Sequence, residues 1–244
     1  KSGASAEDKL FYWNRYIEIT TTAMVGNPKW PAGLVYVDLF GGPGICTVKE
    51  GRSEQRFPGS PLIAAHAPKP FRRIIACEKD VELANALKVR LERSPAADRH
   101  HVIQGDCNSQ ISAIVGLIPQ RSLTLAFLDP TGLHVRFTTI ESLTAHRRVD
   151  LLILLADRMD VVRNIRDVYS KQRVSRLDHF LGRGSGWREI YRSMPNHSAG
   201  HICDMFLDVY TKQLGSLGYT AFGRETMTVS GRKHLYKILY ENKN

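Results

Sequence analysis

LVYVDLFGGPGIC, residues 34–46, decides how the rest of the chain is read. Leu34 to Leu39 is a short apolar, β-branched run, the pattern of a strand buried on both faces in a parallel sheet. It delivers Asp38, and a Gly-Gly-Pro-Gly turn follows at once. Glycines at such a turn permit positive φ and let a ligand approach bare backbone. In open α/β sheets ligands bind beyond the carboxyl ends of the strands, so this stretch predicts a small-molecule site. It is not a dinucleotide fingerprint. Gly42 and Gly44 fit G-x-G-x-x-G, but Thr47 holds the third position. A carboxylate at Asp38 sits poorly beside a pyrophosphate and better beside a cationic ligand. A plain strand closed by a glycine turn fits the same residues.

The 244 residues suffice for one sizeable α/β domain, read as a single domain over 1–244 with a basic helical insertion at about 157–193. A net charge of +10 points to an anionic partner, nucleic acid first, although a soluble basic enzyme has the same balance. Cys46, Cys77, Cys107 and Cys203 form no C-x-x-C pair, so no metal site is expected. Three of them flank strand ends and read as reduced thiols of a cytoplasmic protein. No run reaches the ~18 apolar residues of a membrane span, and KSGASAEDK at the start has no signal-peptide core.

Ser5 with Asp8 can cap a helix over roughly 6–24, with Leu10, Trp13, Ile17 and Thr20 on one face. Residues 47–60 are polar and read as a long loop, and Pro61 opens a helix to about Ala67. A strand over 72–77 delivers Glu78, and Asp80 caps a helix over 81–93. A third strand, 101–104, leads to Asp106, and a helix follows over 108–117. The run 122–128 is a fourth strand ending in Asp129-Pro130-Thr131-Gly132. A helix at 137–145 and a buried strand, 149–155, complete the alternation. Nine basic and four acidic residues between 158 and 192 leave a net of +5, half the total charge. Arg158, Arg163, Arg166, Lys171 and Arg173 are the candidates for tracking a phosphate backbone, and Tyr169, Trp187 and Tyr191 for stacking on bases. A solvated helical face is the other reading. After a helix at 201–217, two strand-like runs joined at Ser230-Gly231 form a hairpin.

Asp38, Glu78, Asp106 and Asp129 each follow an apolar strand, so they should meet on one edge of the sheet. The Asp-x-x-x-Gly-x-Gly pattern resembles the first motif of class I methyltransferases that use S-adenosylmethionine (SAM), whose ammonium and sulfonium are cationic. The expected cofactor-binding set is Asp38, Phe40, Gly42, Gly44, Glu78 and Asp106. Glu78 is placed to accept from ribose hydroxyls, Asp106 from the adenine amine, or to cap the next helix. Asp129 and Pro130 are the catalytic candidates. A carboxylate and a carbonyl accepting both N–H bonds of an amine expose its lone pair. This resembles the Asp-Pro-Pro-Tyr motif of nucleic-acid amino-methyltransferases, but Thr131 stands here and the base-stacking aromatic is missing. Of the scattered histidines only His134 lies near that motif.

Longer stretches resemble the three-Cys-motif partner (TcmP) family of bacterial proteins. They are YVDLFGGPG (36–44), Gly59-Ser60-Pro61, IIACEKD (74–80), LAFLDPTGLH (125–134), VDLLILLADRMDVVRNI (149–165) and LDHFLGRGSGWREIY (177–191). Thr131 departs from the family's Asp-Pro-Phe/Tyr-Gly form. The resemblance implies a doubly wound, Rossmann-like sheet of seven strands in order 3-2-1-4-5-7-6 with an antiparallel terminal hairpin. It also implies SAM as cofactor and a three-Cys-motif protein as partner. The function expected is SAM-dependent methylation of a nucleic acid. The alternatives are an inactive module of the same fold that binds nucleic acid or a partner, and a Mg²⁺-dependent nucleotide hydrolase. The last lacks a Gly-Lys-Ser/Thr phosphate loop.

Overall fold

The computed structural model describes residues 5–243 apart from 51–52, 131, 156 and 230–231. The chain divides into two compact units, residues 1–128 with 145–151, and residues 129–144 with 152–244.

In the first unit α1 (Ser5–Met24) precedes β1 (Leu34–Asp38). β2 (Ile45–Glu50) and β3 (Ser53–Pro58) follow, then α2 (Ser60–Ala65), β4 (Arg73–Glu78) and α3 (Val81–Glu92). β5 (His100–Gln104), α4 (Cys107–Gly116) and β6 (Leu123–Leu128) come next, with the first half of β7 (Arg148–Leu155). The five strands β5-β4-β1-β6-β7 make the central parallel sheet. Their registers are fixed by pairs such as Val37↔Ile75, Val37↔Ala126 and Ala76↔Val102. Every residue of β1 and β6 is buried, as strands covered on both faces require. The buried stripe of α1 is Trp13, Ile17 and Thr21, four apart, so they share one helix face. Trp13 stacks on Phe127 with ring centroids 4.2 Å apart, and Tyr36 packs on Phe71 at 5.5 Å. On α3 the stripe is Ala84, Leu87 and Leu91.

The expectation of a long loop over 47–60 is corrected. β2 and β3 pair antiparallel from Ile45↔Pro58 to Glu50↔Ser53. The signal was Gly51-Arg52, two residues beginning with glycine between the paired ends, as a tight hairpin wants. Its strands are too polar to register as strands by hydrophobic pattern.

The second unit contains α5 (Phe137–Thr144) and the last half of β7. Two π-helical turns, Asp157–Val161 and Ile165–Tyr169, flank the single helical turn α6 (Val162–Asn164). α7 (Arg176–Leu181), α8 (Trp187–Ser193) and α9 (Ala199–Gly215) follow. β8 (Tyr219–Val229) and β9 (Arg232–Lys243) pair antiparallel as expected, and their junction Ser230-Gly231 lies outside the described residues. Phe180, Phe206, Tyr210 and Phe137 form an aromatic core, with Phe180 and Tyr210 centroids 4.8 Å apart. No helix among the described residues is long and apolar enough to cross a membrane.

Asp178 ties α7 to α8. It closes a capping box with Ser175 and accepts from the Trp187 indole N–H at 2.8 Å and from Arg188. Partial burial pushes its carboxyl up. The Arg188 bond first, then Ser175 and Trp187, outweigh that and hold it down at about 2. Because the folded value lies below the ordinary 3.8, the stability this carboxylate contributes is fully present above about pH 4. It is lost as pH falls towards 2, and after solvent screening amounts to about 1 kcal/mol. Asp178→Asn should therefore unfold at lower denaturant than the parent at pH 6, with the gap closing between pH 4 and 2. An equal gap at both ends of that range would contradict the linkage.

Candidate functional site

The site grows out of the end of β1. Asp38 is fully buried. Its Oδ2 accepts from the Ser60 hydroxyl at 2.6 Å and the Tyr36 hydroxyl at 3.0 Å, and its Oδ1 accepts from the Phe40 N–H at 3.0 Å. Burial, reinforced by the Asp38 charge, raises the Tyr36 phenol well above its ordinary range. The carboxylate expected to face a cationic ligand thus lies beneath the glycine turn and orders it from below. The half-buried Phe40 is anchored by that same bond.

The two motif glycines do different things. At Gly44, with φ +80°, an added Cβ would lie 2.9 Å from Leu87 Cδ1, so glycine permits close packing on α3. At Gly42, with φ +57°, a Cβ would meet nothing within 4 Å, so the backbone there borders open space. The turn is closed from the far side of the hairpin, where the Gly59 N–H donates to the Gly44 carbonyl at 2.7 Å.

Glu78, at the end of β4, reaches across to this turn. Its Oε2 accepts from the Gly42 N–H at 2.8 Å, and its Oε1 accepts from the Asp80 N–H at 2.8 Å. The Gly41 N–H donates to the Cys77 carbonyl at 2.9 Å. Each carboxylate oxygen keeps a second lone pair for a ligand hydroxyl. One strand further out, Asp106 caps α4 through the Asn108 N–H at 3.0 Å and also accepts from Lys79 at 3.3 Å. Partial burial raises its carboxyl, but the Asn108 bonds and Lys79 outweigh this and hold it below the ordinary range. Burial pushes the neighbouring Cys77 and Cys107 thiols up to about 12, so both are protonated at neutral pH. β1, β4 and β5 therefore bring Gly42, Glu78 and Asp106 to one sheet edge, with Asp38 beneath. Among the described residues no group of His, Cys, Asp or Glu is arranged to hold a metal ion.

Asp129 continues directly from β6 and is half-buried, and Pro130 is buried. Thr131 lies outside the described residues. Within the second unit this turn is held by a residue that sequence reasoning missed. Asp160 Oδ2 accepts from the Leu133 N–H at 3.1 Å. Its Oδ1 accepts from Asn164 Nδ2 at 3.1 Å and from the Tyr169 hydroxyl. Burial first, and then Asp160, push the Tyr169 phenol up. The one legible signal was the Asp160–Asn164 spacing of four in a basic run. His134 is exposed beside the turn.

A Cβ on Gly132 would lie 2.7 Å from Asp160 Oδ2, on a carboxylate whose two oxygens are held by three partners. Gly132→Ala is expected to cost about 1–3 kcal/mol by overpacking. In the Asp160→Ala background the same change should cost much less, a coupling read from thermal melts of the four proteins. Additive costs would show that the two positions do not meet.

The basic run divides. Arg163, Arg166 and Arg173 are exposed and have no acidic partner among the described residues. Lys171 pairs with Asp167 at 3.5 Å, both largely exposed, and Arg158 is half-buried. Arg188 is committed internally, to Asp178, to the Gln172 carbonyl and over the Trp187 ring. The stacking expectation is corrected, because Tyr169, Trp187 and Tyr191 are all buried in the second unit's core. Aromatics in a charged helical run face inward for the ordinary hydrophobic reason.

The fold is shared with a solved methyltransferase. An O-methyltransferase from Bacillus cereus, determined in complex with S-adenosylhomocysteine, superposes with a TM-score of 0.51 at 11% identity. The match covers 94% of this chain and 80% of that one. A Legionella pneumophila protein gives a TM-score of 0.51 at 13% identity, covering 94% and 84%. No family model matches the chain, and no curated protein sequence does either. The chain thus has an α/β fold with a parallel central sheet of five strands and flanking helices, shared with that O-methyltransferase.

Proposed function

We propose that this protein is a SAM-dependent methyltransferase that modifies a nucleic acid. The observation that carries the cofactor reading is the bond from the Gly42 N–H to Glu78, made where the backbone of Gly42 borders open space. It gives a rigid rim of bare backbone beside a carboxylate with free lone pairs, which suits a ribose hydroxyl pair. Asp106, one strand outward, suits an exocyclic amine, and Asp38 acts through the turn it orders. When bound, SAM supplies the electrophilic methyl group.

On the acceptor side, Asp129 and the Pro130 carbonyl would accept the amine's N–H bonds and orient its lone pair. The net charge of +10 and the exposed Arg163, Arg166 and Arg173 support a polyanionic acceptor, with Arg158 and Lys171 as secondary contacts. The resemblance to the TcmP family supports a three-Cys-motif protein as partner, and four free cysteines suit a reducing cytoplasm. The burial of the run's aromatics favours backbone over base contacts and keeps a second reading open, a module of this fold that binds nucleic acid without turnover.

The deciding experiment is calorimetric titration with SAM and S-adenosylhomocysteine, followed by transfer of labelled methyl groups to bulk RNA and DNA. Micromolar binding with transfer supports the enzyme. Binding without transfer, with or without a partner, supports the second reading, and no binding overturns the cofactor assignment.

A further inference from the structure

The second unit holds a cleft of about 400 Å³ that the sequence reading did not anticipate, on the turn joining α7 to α8. Its floor is the segment Gly182-Arg183-Gly184-Ser185-Gly186, with Arg173, His179 and Arg188 among its walls. Gly182, Gly184 and Gly186 all have positive φ, and an added Cβ at Gly184 or Gly186 would meet nothing within 4 Å. At Gly184 and Gly186 the backbone is open to an incoming group, while Gly182 packs on Phe137. The turn is also fixed, since Gln213 Nε2 on α9 donates to the carbonyls of Leu181 at 3.0 Å and Arg183 at 3.2 Å.

Charge decides what the cleft takes. Asp178 is committed to Arg188, Trp187 and Ser175, and the exposed Glu189, 3.8 Å from Arg192, is outnumbered in the lining by Arg173, Arg183 and Arg188. Arg173 and Arg183 are exposed and without an acidic partner among the described residues. Two guanidiniums beside open backbone match a phosphodiester, because their planar forks fit phosphate oxygens bidentately. The indole that would suit a base is not available, since Trp187 is buried and donates to Asp178.

We infer that this cleft seats a backbone phosphate of the nucleic-acid acceptor, with Arg173 and Arg183 as its cationic contacts. The inference rests on the nucleic-acid reading above and adds the place and the residues. It separates Arg183, at the cleft, from Arg188, whose charge is used within the protein.

The test is fluorescence anisotropy of labelled 12-nucleotide single strands, RNA and DNA, across a salt series, with the parent and with Arg173→Gln/Arg183→Gln. Both side chains are exposed, so the variant should fold, which its melting curve will verify. For a single strand each neutralised phosphate contributes about 0.7 to the slope of log K against log salt, so the double variant, which gives up the one phosphate seated in the cleft, should lose about 0.7. An unchanged slope in a folded variant overturns the cleft assignment and leaves the nucleic-acid reading standing. A parent that binds neither strand overturns both. Inorganic phosphate is the control for source. If it saturates the cleft at sub-millimolar concentration while strands do not bind, the site takes a free phosphate and the strand assignment fails.

Discussion

Glu78→Ala should raise the dissociation constant for SAM by roughly 10–100-fold, the loss of a charge-assisted hydrogen bond worth about 1.5–3 kcal/mol. Two effects contribute. The ligand loses an anionic acceptor, and the Gly42 N–H loses the partner that holds the turn in place. A ribose analogue separates them. If Glu78 takes the ribose hydroxyls, S-adenosylhomocysteine lacking its 2′-hydroxyl should bind the parent more weakly than the full compound. The variant should hardly distinguish the two. Equal loss for both compounds in the variant would assign Glu78 to holding the turn alone, and unchanged affinity would remove it from the site.

Asp38→Ala should lower stability by about 3–5 kcal/mol, because it strands two buried hydroxyls, those of Tyr36 and Ser60, that donate to a charged acceptor. For a chain of this size that corresponds to a fall of roughly 6–20 °C in melting temperature. The cause is testable by removing the stranded groups. Tyr36→Phe should destabilise the parent by about 1 kcal/mol yet cost nothing, or restore stability, in the Asp38→Ala background. A full additional cost there would mean that the hydroxyl finds another partner and that Asp38 is not what satisfies it.

The difference between these residues explains what the sequence could disclose. The positions of Glu78 and Asp106 just past strands were legible because the end of a strand is read from local pattern, the apolar run before Glu78 and the Gly105 turn before Asp106. That Asp38 would sit under the turn was not legible, because its hydroxyl partner Ser60 lies 22 residues on, beyond a hairpin read as a loop. Asp160 was hidden for the same reason. Its backbone partner Leu133 precedes it by 27 residues, and a lone acid among arginines reads as surface. The basic run shows the opposite limit. Composition located the positive charge correctly but could not tell Arg188, consumed by Asp178, from Arg173 and Arg183 beside the open cleft.

The β2–β3 hairpin leaves the glycine turn at Gly44 and returns at Gly59, where the two backbones are joined by a 2.7 Å hydrogen bond. Everything between them is an excursion with a common doorway. Because the doorway is sealed by its own bond, the excursion can be shortened, lengthened or replaced with a foreign peptide without altering the path of the turn. That makes residues 47–56 a natural port for a fluorophore or an affinity tag, and a place where descendants of this chain can vary in length without a change at the neighbouring rim.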